Sequence, residues 1–131
     1  MNAAKRPILL IVDDEPQIGA ALLRMLHREP YEVVYCPSGA EALVFLETCE
    51  VTAVLCDIRM PDMTGVEFLQ TLVQRYPATL RLVMTGDPGE YRGSDFNEMI
   101  GCYAIIEKPW NPLELKLLLR DALGIAQDMV V

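Results

Sequence analysis

The apolar positions of this chain fall into two rhythms that take turns along its length. Ile8-Leu9-Leu10-Ile11-Val12 is an unbroken apolar run, the pattern of a strand covered on both faces. From Pro16 to about Arg28 the spacing changes, and Ile18, Leu22, Met25 and Leu26 recur at helical intervals. Tyr31 to Cys36 predicts a second, more peripheral strand. Ser38-Gly39-Ala40-Glu41 is a capping box that opens a helix running to about Cys49. Thr52 to Cys56 predicts a third strand. After a proline-containing loop, Thr64-Gly65-Val66-Glu67 is a second capping box, followed by Phe68, Leu69, Leu72 and Val73 on one face. Leu80 to Met84 and Tyr103 to Ile106 predict strands four and five. Asn111-Pro112-Leu113-Glu114 starts the last helix, with Asn as cap and Pro in the first turn. Between Gly86 and Gly101, Asp87-Pro88-Gly89-Glu90 and Ser94-Asp95-Phe96-Asn97 could each begin a helix. Gly89 and Gly93 weaken a long one, so a short or shifted helix is expected there.

Five strand-then-helix units with no repeat or linker imply one α/β domain, a parallel sheet with helices on both faces. Chemistry in such sheets lies at the carboxyl ends of the strands. Asp13 and Asp14 close the first strand, Asp57 the third, Thr85 the fourth and Lys108 the fifth. Each has a plain structural explanation by itself, since an acid can cap a helix and a threonine can end a turn. Four strands delivering carboxylates, a hydroxyl and an ammonium to one edge point to a site.

Composition narrows the classes. The 131 residues suit one domain, and 52% hydrophobic with 23% charged residues excludes a disordered chain. A net charge of −8 argues against direct binding of nucleic acid or an anionic membrane. No apolar run reaches the roughly 18 residues of a membrane span. The first seven residues do not form a signal peptide, so a cytoplasmic location is expected. Cys36, Cys49, Cys56 and Cys102 lack C-x-x-C spacing and have only His27 to join them, so reduced thiols are expected rather than a zinc site. His27, late in a helical pattern, suits a helix end.

Two ionised carboxylates about 5 Å apart repel by roughly 3 kcal/mol at an effective dielectric of 20. One must keep its proton, or a cation must settle between them. Oxygen ligands with room for water favour magnesium. Such an ion and Lys108 could neutralise phosphoryl oxygens while the Thr85 hydroxyl bonds one of them. A carboxylate could then attack phosphorus to give an acyl phosphate, with catalysis mainly by positioning and charge stabilisation.

With those residues in order, the sequence resembles the receiver domain of two-component response regulators over essentially its whole length. The motifs are Ile11-Val12-Asp13-Asp14-Glu15, Asp57-Ile58-Arg59-Met60-Pro61-Asp62-Met63-Thr64-Gly65, Met84-Thr85-Gly86-Asp87 and Glu107-Lys108-Pro109-Trp110. The resemblance implies a flavodoxin-like (βα)5 fold with strand order 2-1-3-4-5. It implies a receiver domain over 1–131, with a core at about 7–123 and a tail or linker at 124–131. It also implies that Asp57 is the phosphoacceptor and that Asp14 and Asp57 ligate Mg2+ with the backbone carbonyl of Arg59, Asp13 acting mainly through water. Thr85 would follow the phosphoryl group and Lys108 would pair with it. In this family the Lys108-Pro109 bond is cis, and proline is where cis costs least. Arg59 and Asp87 occupy the positions that tune hydrolysis of the acyl phosphate.

One position departs from the family pattern. Receivers usually carry Phe or Tyr as a switch residue three before the lysine, where this chain has Ile105; Tyr103, two residues earlier, is the candidate substitute. The implied function is a signalling switch. A sensor histidine kinase or phosphotransfer protein phosphorylates Asp57, and the changed conformation controls an output domain or downstream protein, with homodimer formation on phosphorylation as one route. The chain would catalyse only its own phosphorylation and dephosphorylation. The alternatives are a magnesium-dependent aspartyl-phosphate phosphatase and a phosphorylation-independent interaction domain. Such phosphatases carry a second acid two residues after the nucleophile, where this chain has Arg59.

Overall fold

A computed structural model describes residues 6–59, 65–87, 89 and 100–125. The elements follow the predicted alternation: β1 (Ile8–Val12), α1 (Pro16–Leu26), β2 (Glu32–Cys36), α2 (Gly39–Thr48), β3 (Ala53–Asp57), α3 (Gly65–Arg75), β4 (Leu80–Thr85), β5 (Ala104–Glu107) and α4 (Pro112–Ala122). The strands form one sheet in the order β2-β1-β3-β4-β5, and every neighbouring pair is parallel. The expected α/β fold and strand order are both present. The helix expected between Gly86 and Gly101, the Thr64 cap and the tail at 126–131 lie outside the described residues.

Side chains alternate across a strand, so one apolar run feeds two cores. Leu10 and Val12 of β1 join Val54, Cys56, Phe68, Leu69 and Leu72 on the face covered by α2 and α3. Leu9 and Ile11 join Leu55, Leu82, Leu22, Leu26, Leu115 and Leu119 on the face covered by α1 and α4. That double covering is why β1 and β3 read as continuous apolar runs, whereas the edge strand β2 begins exposed at Glu32.

Several predicted termini are realised by the expected groups. The Ser38 side chain accepts from the Glu41 amide at 3.2 Å, and Asn111 accepts from the Glu114 amide at 3.0 Å. Each satisfies an amide that the helix itself leaves unpaired. Helix α1 stops two residues before the predicted Arg28. His27 is its C-cap, and the His27 Nδ1 lies 3.0 Å from the Arg24 carbonyl; a carbonyl only accepts, so Nδ1 carries the proton. The four cysteines are free thiols, and burial pushes the thiols of Cys36, Cys56 and Cys102 above their ordinary range.

A buried ion pair at the opposite end of the sheet from the strand carboxyl ends was invisible in the sequence. Arg120 of α4 donates from Nε to Glu29 Oε1 at 2.8 Å and from a terminal nitrogen to Oε2 at 3.3 Å. It ties the last helix to the segment that follows α1.

Candidate functional site

The strand carboxyl ends bring the predicted polar residues together. Asp13 follows β1 and is fully buried, Asp57 ends β3 and Thr85 ends β4, both buried. Lys108 follows β5 and reaches back across the sheet edge: its Nζ lies 3.2 Å from Asp13 Oδ2 and 3.3 Å from Asp57 Oδ2. A third carboxylate, Glu15 Oε1, stands 3.8 Å away. In the sequence Glu15 is only the last residue of the Ile11-Val12-Asp13-Asp14-Glu15 motif. It is the N-cap of α1 but makes no side-chain cap bond.

Loop geometry continues from the strand register. The β3–β4 pairing carries Asp57 opposite Met84, and the Ile58 amide donates to the Met84 carbonyl at 3.2 Å. Asp57 Oδ1 accepts from the Arg59 amide at 3.2 Å, so its two oxygens are held by different partners. The Thr85 Oγ1 accepts from the Asp87 amide at 3.1 Å, which leaves the hydroxyl proton for another acceptor. Arg59 and Asp87 are both exposed, on the loops after β3 and β4. Lys108–Pro109 is a cis peptide.

Gly65, the first residue of α3, is required by its surroundings. A Cβ there would fall 2.5 Å from Ile58 Cα and 2.6 Å from the Asp57 carbonyl oxygen, both backbone atoms. Its amide donates to the Ile58 carbonyl at 3.0 Å. The start of α3 therefore rests directly on the segment that carries Asp57, and only a residue without a side chain allows that approach.

The electrostatics follow from burial. Desolvation pushes the Asp13 carboxyl above its ordinary value, opposed by the Glu15 amide, which donates to Oδ1 at 2.9 Å, and by Lys108; Asp57 adds to the rise. For Lys108 desolvation pulls the ammonium down, but attraction to Asp13 and Asp57 outweighs it and the net displacement is upward. One ammonium thus holds a crowded acidic edge together.

Asp13, Asp14 and Asp57 each offer a carboxylate oxygen within 4.8 Å of the other two. At the usual magnesium–oxygen distance of about 2.1 Å, opposite ligands stand about 4.2 Å apart and adjacent ones about 3 Å apart, so these oxygens would draw in to seat the ion. All-oxygen donors with solvent access on the Asp14 side suit that hard cation. The donor set fits.

The two candidate switch residues part company. Ile105 is half-buried and packs against the α2/α3 core. A two-residue spacing would put Tyr103 on the same side as Ile105 only if β5 extended to it, and β5 begins at Ala104. Tyr103 precedes β5, is 39% exposed, and donates its hydroxyl to Asp121 of α4, the helix on the opposite face. Strand alternation does not extend to a residue outside the strand.

Comparison with known proteins agrees with this geometry. A family model described as the response regulator receiver domain matches residues 9–120. The hydrogenase transcriptional regulatory protein HoxA of Cupriavidus necator is 39% identical over 129 residues, covering 95% of this chain and 26% of that relative. The response regulator GtcR of Aneurinibacillus migulanus is 31% identical, over 81% of this chain and 43% of its own length. This chain therefore spans about a quarter to under half of these curated relatives. Among solved structures, the signal receiver domain of an HD domain-containing protein from Pseudomonas fluorescens superposes with a TM-score of 0.85 at 32% identity, covering 95% of this chain and 91% of that one. The response regulator TrrA of Thermotoga maritima, in complex with magnesium and a beryllium fluoride, gives 0.78 at 27% identity, with coverage of 89% and 99%.

Proposed function

From the premise that this chain belongs to the response regulator receiver domain family, we propose that Asp57 is its phosphoacceptor and that Lys108 couples the new charge to the rest of the fold. The carrying observation is one contact set: Lys108 Nζ bridges Asp57 and the buried Asp13 from a separate strand. Receiver domains work with histidine kinases and output domains, and the donor proposed here is a kinase phosphohistidine or a phosphotransfer protein. A carboxylate oxygen of Asp57 attacks phosphorus, the P–N bond breaks, and its electron pair and a proton end on the imidazole. Asp14, Asp57 and the Arg59 carbonyl would hold Mg2+, with Asp13 through water; the ion would supply charge neutralisation at the phosphoryl oxygens.

Lys108 faces Asp57 in the resting state, and a phosphoryl group on Asp57 gives the ammonium a stronger acceptor. The Thr85 hydroxyl can donate to the same group, drawing the β4 loop with it. Added charge thereby biases a two-state equilibrium that an output module or partner reads. The reaction is stoichiometric, with the chain acting only on itself. Incubation with a small phosphodonor and magnesium should stop at one base-labile phosphate per chain, and Asp57→Asn should abolish the label while keeping the fold. Continued turnover of a phosphomonoester, or label retained in Asp57→Asn, would overturn the assignment.

A further inference from the structure

We infer that Tyr35 is a positioning residue for the acidic site, acting through the backbone of Asp13 from the edge strand β2. The inference rests on the reading of that edge as a magnesium and phosphoryl site. Asp13 lies one residue beyond β1, where the ladder runs out: its amide still donates to the Cys36 carbonyl at 3.3 Å. A buried carbonyl at such a place needs a donor. Tyr35 supplies one, its hydroxyl donating to the Asp13 carbonyl oxygen at 2.6 Å.

The ring that carries this hydroxyl has a seat of its own. A Cβ on Gly19 of α1 would fall 2.6 to 2.8 Å from three atoms of the Tyr35 ring. The absent side chain at Gly19 is therefore the space the ring fills, and the ring in that space sets where the hydroxyl points. The bond in turn holds the peptide plane between Asp13 and Asp14, from which both carboxylates project. Asp13 is then fastened from three directions: by Tyr35 at its carbonyl, by the Glu15 amide at Oδ1 and by Lys108 at Oδ2. Two of those fastenings belong to the charged site itself. Tyr35 is uncharged and lies outside it, so it orients the acids without competing for the ion.

The test is calorimetric titration of the whole chain with MgCl2, together with the magnesium dependence of labelling by acetyl phosphate. Tyr35→Phe keeps the ring and removes the hydroxyl. It should weaken magnesium binding about threefold to tenfold, the worth of one hydrogen bond, and raise the magnesium needed for half-maximal labelling by the same factor. Labelling at saturating magnesium should be unchanged. Gly19→Ala should produce the same shift by displacing the ring, and the double variant should be no worse than either single. A lowered melting temperature with unaltered magnesium affinity in Tyr35→Phe would reduce Tyr35 to a packing residue and overturn the inference. Failure of the unaltered chain to bind magnesium would overturn the reading of the site as well, so the two failures are distinguishable.

Discussion

At the scale of single residues, the site is organised by which oxygen of each acid faces which donor. Asp57 divides its oxygens between the Arg59 amide and Lys108, and Asp13 divides its own between the Glu15 amide and the same lysine. Spacing along the chain announced the acids, the threonine and the lysine, because each closes an apolar run. It did not announce Glu15 as a third carboxylate of the lysine. At the mouth of the site, Arg59 and Asp87 stand exposed on adjacent loops with opposite charges. We expect them to act together in gating the water that hydrolyses the acyl phosphate. An exposed pair is worth about 0.2–1 kcal/mol, which limits the change in hydrolysis rate to about fivefold. Decay of the phosphorylated chain, followed in Arg59→Ala, Asp87→Ala and the double variant, should be non-additive. Strictly additive logarithmic rates would show two independent side chains.

Elements are joined here by a few polar ties laid over a generic apolar contact. Helix α4 packs through Leu115 and Leu119, one turn apart on the same face, yet it is also pinned by Arg120 to Glu29. Both partners are more than nine-tenths buried. Replacing such a pair with apolar groups can be neutral, but removing one partner leaves a charge stranded. Arg120→Ala should therefore cost about 3–5 kcal/mol, read as a lowered urea midpoint. A double replacement, Glu29→Met with Arg120→Leu, should recover much of the loss. A loss below about 1 kcal/mol in the single variant would show that Glu29 is hydrated once its partner is gone. The residues are 91 positions apart, and no local rule of sequence couples an arginine on one helix to a glutamate after another.

For the whole molecule the question is how charge at one sheet edge alters stability and shape. Magnesium should stabilise the fold because it relieves repulsion among Asp13, Asp14 and Asp57, which lie within 4.8 Å. At one hundred times its dissociation constant the gain is about 2.7 kcal/mol. Asp14→Ala should erase most of it, and a melting temperature unmoved by millimolar magnesium in the unaltered chain would refute the site. Lys108 joins strands β1, β3 and β5 through one ammonium. Lys108→Ala should permit some phosphorylation but uncouple it from conformational change, checked by amide exchange between Gly86 and Tyr103 with and without phosphodonor. Phosphate-driven exchange differences that persist in the variant would place the coupling elsewhere.

The element order, the double-sided sheet and the edge at which Asp13, Asp57, Thr85 and Lys108 meet are legible along the chain. These are consequences of local periodicity, caps and strand ends, all properties of neighbours along the chain. The family motifs then supplied the strand order and the expected chemistry. How that edge is braced is a matter of packing between distant segments. Tyr35 reaches the Asp13 carbonyl because α1 carries no side chain at Gly19, and α3 can touch the Asp57 segment because Gly65 has none. Tyr103 turned towards α4 instead of sharing the side of Ile105, since its position depends on where β5 begins. Such contacts join residues far apart in the chain, and their energy comes from geometry that exists only once the elements have packed.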